Sequence, residues 1–167
     1  EINFEYEGLH YFLISEDEMK NLQIRKGTLT REEIREMAQH VHVTWEMLSQ
    51  LTFPKKYANV ATYAAQHHEK LNGKGYPYGL TAEQIPMQSR IIAIADIFEA
   101  LTAPDRPYTK AKTLSEALNI IARCVRDGEL DRDLVDFFLD SGLHLDFAKQ
   151  FMDPAQIDNP DIKALKQ

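Results

Sequence analysis

At 167 residues, with 44% apolar and 27% charged side chains, the chain is long enough for one domain with a real core and too apolar to be disordered. Its net charge of −7 argues against a broad DNA, RNA or anionic-membrane surface, though not against a local basic patch for a small phosphate ligand. A lone cysteine, Cys124, excludes an internal disulfide framework and fits a reducing, cytoplasmic setting, and no apolar run approaches the ~20 residues of a membrane span.

Residues 2–14, INFEYEGLHYFLI, alternate apolar and polar on both sides of a glycine, the pattern of a short β-hairpin. From Ser15 onward the reading is helical. Capping boxes punctuate it at Ser15…Glu18, Thr30…Glu33, Thr81…Gln84 and Thr113…Glu116, each satisfying two orphan backbone donors. The helix after Thr30 carries an apolar stripe at Ile34, Met37, Ala38, Val41, Trp45 and Leu48. Pro54 opens the next helix, which the pattern VATYAAQHHEKL carries as far as a His-His pair. One turn is expected at Thr81–Ile85, then a buried helix over Met87–Thr102 packing Ile91, Ile94, Ala95, Phe98 and Leu101. Thr113–Arg126 is amphipathic and ends at Asp127-Gly128, and Leu130–Asp140 supplies another helix that Gly142 stops. Residues 154–167 read as a polar, weakly packed tail. The sum is an all-α bundle.

Chemistry concentrates around QHHEKLNGKGYPYGL, residues 66–80. Neighbours on a helix lie roughly 100° apart, so vicinal imidazoles near a turn can aim at one point, and a metal is the commonest reason to want that. A surface pair before a glycine-rich turn is the plain alternative. His40 and His42 compete for the place of a third imidazole. On a helical wheel His40 lies at the border of the apolar stripe, whereas His42 sits among Arg35, Gln39, Glu46 and Ser49 on a solvated flank, so burial favours His40. Asp96 stands inside IIAIADIF, where an unpaired carboxylate is costly. Metal coordination would justify it, and so would an ion pair with Arg90 or Arg106. Glu69 and Glu99 are candidates for orienting the ligands from behind. Gly73, Gly75 and Gly79 permit unusual backbone or close ligand approach; Tyr76 and Pro77 sit among them, and the loop serves either as a ligand contact or as a rigid connection. Arg106 and Lys110 suit phosphate, with a solvated loop as the alternative. No Ser or Cys triad is found.

HHEKLNGKGYPYGL resembles the HHExxDGxGYP signature of the HD-GYP phosphohydrolases. The likeness continues through IPMQSRIIAIADIFEALTAPDRPYTKA and back to LTREEIREMAQHVHVTWEML, covering roughly residues 27–142. The resemblance implies a helical domain with two or three divalent metal ions that hydrolyses the bacterial messenger cyclic di-GMP to a linear or mononucleotide product. It makes His40, His67, His68 and Asp96 metal ligands, with Glu69 and Glu99 supporting them. Gly75, Tyr76, Pro77, Arg106 and Lys110 become substrate contacts. Imidazole and carboxylate ligands suit Fe, Mn, Zn or Ni better than Mg or Ca, and Fe or Mn is the expected cofactor. Such ions activate water and screen phosphate charge, so no side-chain nucleophile is required.

The chain departs from the family in two places. Asn72 stands where Asp is usual, and no His-Asp doublet occurs. The expectation is therefore that residues 1–153 are the C-terminal part of an HD-GYP domain whose HD-bearing segment and general acid lie upstream. The opening at Glu1 without Met agrees. Alone, the fragment is expected to be close to inactive and to self-associate through an apolar face. The rival is a non-catalytic signalling domain that binds a nucleotide or a signalling protein through the GYP loop.

Overall fold

The computed structural model describes residues 3–6, 9–12, 31–103 and 111–166, with the backbone alone before residue 39. Two compact units divide the chain, residues 1–40 and 41–167. In the first unit, β1 (Asn3–Tyr6) pairs antiparallel with β2 (Leu9–Phe12), so that Tyr6 faces Leu9 across the turn. The hairpin expected from the alternation is present. Helix α1 (Arg31–Ser49) begins in this unit and crosses into the second immediately after His40.

The longer regular elements of the second unit, among its described residues, are helices: α2 (Val60–Ala65), α3 (Met87–Thr102), α4 (Leu114–Arg126), α5 (Arg132–Asp140), α6 (Leu143–Phe151) and α7 (Ile162–Leu165). Its core is centred on α4, whose Leu114, Ala117, Leu118 and Ile121 are fully buried at helical spacing. Phe98 of α3 packs edge-on against Phe138 and Phe147 with ring centroids 5.2 Å from each. Both described capping boxes form as expected: the Thr113 hydroxyl accepts the Glu116 amide and the Glu116 carboxylate accepts the Thr113 amide, and Thr81 and Gln84 do the same around a 3-10 turn. The Ser15 and Thr30 boxes lie outside the described side chains.

Several expectations need correction. Pro54 leads into a separate 3-10 turn, Lys55–Tyr57, and α2 starts only after Asn59. The packed face of α3 is Ser89, Ala93, Ile94, Phe98 and Thr102, whereas Ile91 and Ala95 are exposed. They line an apolar groove of about 470 Å³ with Met87, Leu134, Phe137 and Leu143. Gly142 does not simply end α5, because with φ of 75° it turns the chain straight into α6, a helix over residues that the sequence reading left unassigned. The supposed loose tail is tied down. Gln156 is buried and its Nε2 donates to the carbonyls of Thr102 (3.1 Å) and Lys112 (2.8 Å), while Ile162 and Leu165 pack on the core.

Candidate metal centre

Helix α2 stops at Ala65, before the histidines, so His67 and His68 stand in the turn that follows it and not on a helix. Two contacts end the helix. Gln66 donates its amide to Tyr63 in a tightened last turn, and the His67 ring takes up the Ala64 carbonyl through Nδ1 at 2.5 Å. A carbonyl can only accept, so Nδ1 carries the proton and the lone pair of that tautomer is on Nε2, the atom offered to a metal.

The His67 and His68 rings lie 4.0 Å apart, tilted by 41°. His40, the third candidate, is the last residue of the first unit, whereas His67 and His68 lie in the second. The donor set fits a transition metal. Asp96 stands at the edge of the cluster with Oδ2 3.9 Å from His68 Nδ1, too long for a hydrogen bond and suitable for two ligands flanking one ion.

Burial is not what distinguishes these residues. His40 is exposed and the Asp96 side chain is 40% exposed, so neither the border-of-stripe argument for His40 nor the cost of an interior carboxylate at Asp96 holds. Position separates them instead. His42 is directed away, pairing with Glu46 at 3.2 Å and stacking on Trp45. Arg90 is not available to Asp96, since its guanidinium donates to Asp131 (2.8 Å), to the Ile85 carbonyl (2.8 Å) and to the Ala82 carbonyl. Glu99 is exposed, one turn from Asp96.

The loop folds back over the second histidine. Tyr76 packs its ring 4.8 Å from that of His68 and donates its amide to the His68 carbonyl at 3.2 Å. Burial, and secondarily the negative charge of Asp96, raises the Tyr76 pKa, which keeps the phenol a proton donor. Gly75 is required by close approach: a Cβ there would lie 2.3 Å from Lys70 N and 2.6 Å from His68 O. Pro77 follows through a cis peptide and is exposed. Glu69 is 4% exposed, and its carboxylate accepts the amides of Tyr78 (2.7 Å) and Leu80 (2.8 Å).

Sequence reasoning did not find the far anchor of this loop. Asn72 accepts the Lys74 amide and donates to the Asp127 carbonyl at 3.0 Å, Leu71 N donates to Glu129 O, and Lys70 pairs with Glu129 at 2.7 Å. These ties reach the turn that ends α4, where nothing local in the sequence announces them. Arg106 and Lys110 lie outside the described residues. No described helix is long and apolar enough to cross a membrane.

A protein-family model described as an HD domain matches residues 16–134. The chain is 41% identical over 96 residues to a cyclic di-GMP phosphodiesterase response regulator of Xanthomonas campestris, covering 57% of this chain and 25% of that protein. It is 48% identical over 77 residues to 3'3'-cGAMP-specific phosphodiesterase 1 of Vibrio cholerae, covering 46% and 18%. With a cyclic di-GMP phosphodiesterase of Thermotoga maritima it shares 39% over 98 residues, covering 59% and 26%. The matched segments are thus about a quarter or less of these relatives' own length. On the family model, which takes in most of the chain, the chain belongs to the HD domain family.

Proposed function

We propose that this chain is the glycine-loop-bearing, C-terminal part of an HD-GYP phosphodiesterase, and that His40, His67, His68 and Asp96 hold divalent transition metal ions, Fe or Mn, for hydrolysis of a cyclic dinucleotide. The observation that carries the reading is the grouping of the His67 and His68 rings, 4.0 Å apart, with the Asp96 carboxylate, whose Oδ2 lies 3.9 Å from His68 Nδ1. It is supported by relatives named for cyclic di-GMP and 3'3'-cGAMP phosphodiesterase activity.

Bound ions of this kind lower the pKa of water and screen the negative phosphate. The protein's part is to hold the imidazoles, to keep His67 in the tautomer that presents Nε2, and to set Tyr76 beside His68 as a protonated phenol. Gly75 and Pro77 shape that wall of the site, and Glu99 and Glu69 support it from behind. Arg106 and Lys110 are the proposed phosphate contacts, Arg106 through its planar fork. Arg106→Ala is expected to weaken nucleotide binding by about 1–3 kcal/mol with metal content unchanged. Titration calorimetry beside elemental analysis checks both.

The centre as it stands has four ligands, three imidazoles and one carboxylate, while a second ion needs bridging carboxylates. The His-Asp doublet that supplies one in the family is absent from these residues, so the chain alone is expected to be nearly inactive, within a cytoplasmic signalling protein that acts when whole. Elemental analysis of the purified protein, with turnover of cyclic di-GMP and 3'3'-cGAMP in added Mn²⁺ or Fe²⁺, tests this. Ordinary enzymatic turnover by this chain alone refutes the incomplete-site reading. A metal-free chain that binds nucleotide or a signalling protein without turnover supports the second reading, a non-catalytic binding domain, which draws on the exposure of Pro77 and Tyr78 at the loop tip.

A further inference from the structure

The geometry points to Glu69 as the positioning residue of His68, acting through the glycine loop and not on a metal. The inference deepens the metal-centre reading and rests on it. Glu69 follows His68 directly, yet its side chain turns away from the imidazoles and is spent on the far limb of the loop. One carboxylate oxygen accepts the Tyr78 amide at 2.7 Å and the other accepts the Leu80 amide at 2.8 Å. The group is 4% exposed, and an ionised carboxylate so buried is tolerable because both oxygens are occupied by donors.

The loop so closed touches His68 at two points. Tyr76 N donates to the His68 carbonyl at 3.2 Å, and the Tyr76 ring lies 4.8 Å from the imidazole. Between these limbs Gly75 lies flat against the backbone, leaving no room for a Cβ, which would sit 2.5 Å from Glu69 Cα and 2.6 Å from His68 O. His68 therefore has the loop on its main chain and on its ring, and Glu69 is the clasp that keeps the loop there. Release of the clasp frees the Tyr76 wall and with it the direction of the His68 ring.

Glu69→Gln is nearly isosteric but places an NH₂ opposite one of the two loop amides, so one clasp bond must open. Gly75→Ala attacks the same junction sterically, from the other side. Thr113→Ala removes a helix cap away from the loop and serves as a destabilised control. The full 167-residue chain, metal-free and ¹⁵N-labelled, is compared by imidazole ¹H–¹⁵N correlation spectra, with His68→Ala assigning the ring signals. Melting temperatures are measured alongside, and Mn²⁺ titrations follow.

Shifted His68 ring signals and a 10–100-fold weaker Mn²⁺ affinity are expected in Glu69→Gln and Gly75→Ala, with neither in Thr113→Ala. His68 signals in both loop variants that match the parent chain overturn the assignment, as does an equal displacement in Thr113→Ala. Should Glu69→Gln fail to fold, Gly75→Ala decides on the same two readouts. A parent chain that takes up no Mn²⁺ refutes the metal-centre reading separately, while the ring signals still decide the role of Glu69.

Discussion

Asn72 uses both ends of its amide, accepting the Lys74 amide and donating to the Asp127 carbonyl. An aspartate, the usual family residue, would keep the first bond and set a carboxylate oxygen against a carbonyl in place of the second. Asn72→Asp is therefore expected to cost about 1 kcal/mol of stability, read from urea unfolding midpoints. Among the histidines, replacing His40, His67 or His68 by Ala is expected to strip metal, whereas His42→Ala leaves metal content unchanged; elemental analysis of the four variants checks the assignment. The identities of these residues were legible because the motif is local and its residue types are chemically specific. Their environments were not. Glu69 meets amides nine and eleven residues on, and Asn72 reaches a carbonyl 55 residues on, contacts that only tertiary folding creates. The case for His40 by burial was wrong in its reason, since His40 and His42 are both exposed.

Among the elements, periodicity was most reliable where the helix is amphipathic and half-buried, as α4 shows with buried Leu114, Ala117, Leu118 and Ile121. It was misleading for α3, where apolar residues cover most of the circumference and cannot say which side meets the core. Endings were harder than middles. The extent of α2 depends on a side chain, His67, capturing the Ala64 carbonyl, and propensity carries no trace of that. Asp131 illustrates how much one residue contributes to an element boundary. It caps α5 by accepting the Leu134 amide and pairs with Arg90, which in turn holds the Ala82 and Ile85 carbonyls. Burial works against the charged form of Asp131, but the Arg90 hydrogen bond, the Leu134 amide and the Arg90 charge outweigh it and lower its pKa. Its contribution is thus fully present above the unfolded carboxylate value and is lost as pH falls through the lower folded value. Asp131→Ala is expected to cost about 2 kcal/mol at pH 7, and the difference from the parent should shrink in strong acid. Chemical denaturation across pH measures both.

For the whole molecule, the all-α class and the hairpin were readable from patterning, whereas the packing of the C-terminal stretch was not, because composition cannot reveal that Gln156 is buried. The apolar groove between α3 and the α5–α6 pair exposes Met87, Ile91, Phe137 and Leu143, with Met87 and Phe137 each 63% exposed. Large apolar side chains clustered in this way favour association. A dimer at micromolar concentration is the expected state, and Phe137→Glu is expected to shift it to monomer without a loss of helical content. Analytical ultracentrifugation with circular dichroism checks this, and a parent chain that sediments as a monomer counts against the groove as the contact.

Gln156 has a consequence of a different kind. Its single amide nitrogen holds the carbonyls of Thr102 and Lys112, and the Lys112 amide also donates to Leu101, so the two stems flanking residues 104–110 are fastened together from the C-terminal end of the chain. A side chain that bonds two stems at once joins them only while it is itself held in place, so its burial matters to both. The C-terminal stretch that reads as a polar, weakly packed tail thus helps to hold the end of α3 to the approach to α4, and trimming the protein at Asp153 is expected to lower its unfolding midpoint.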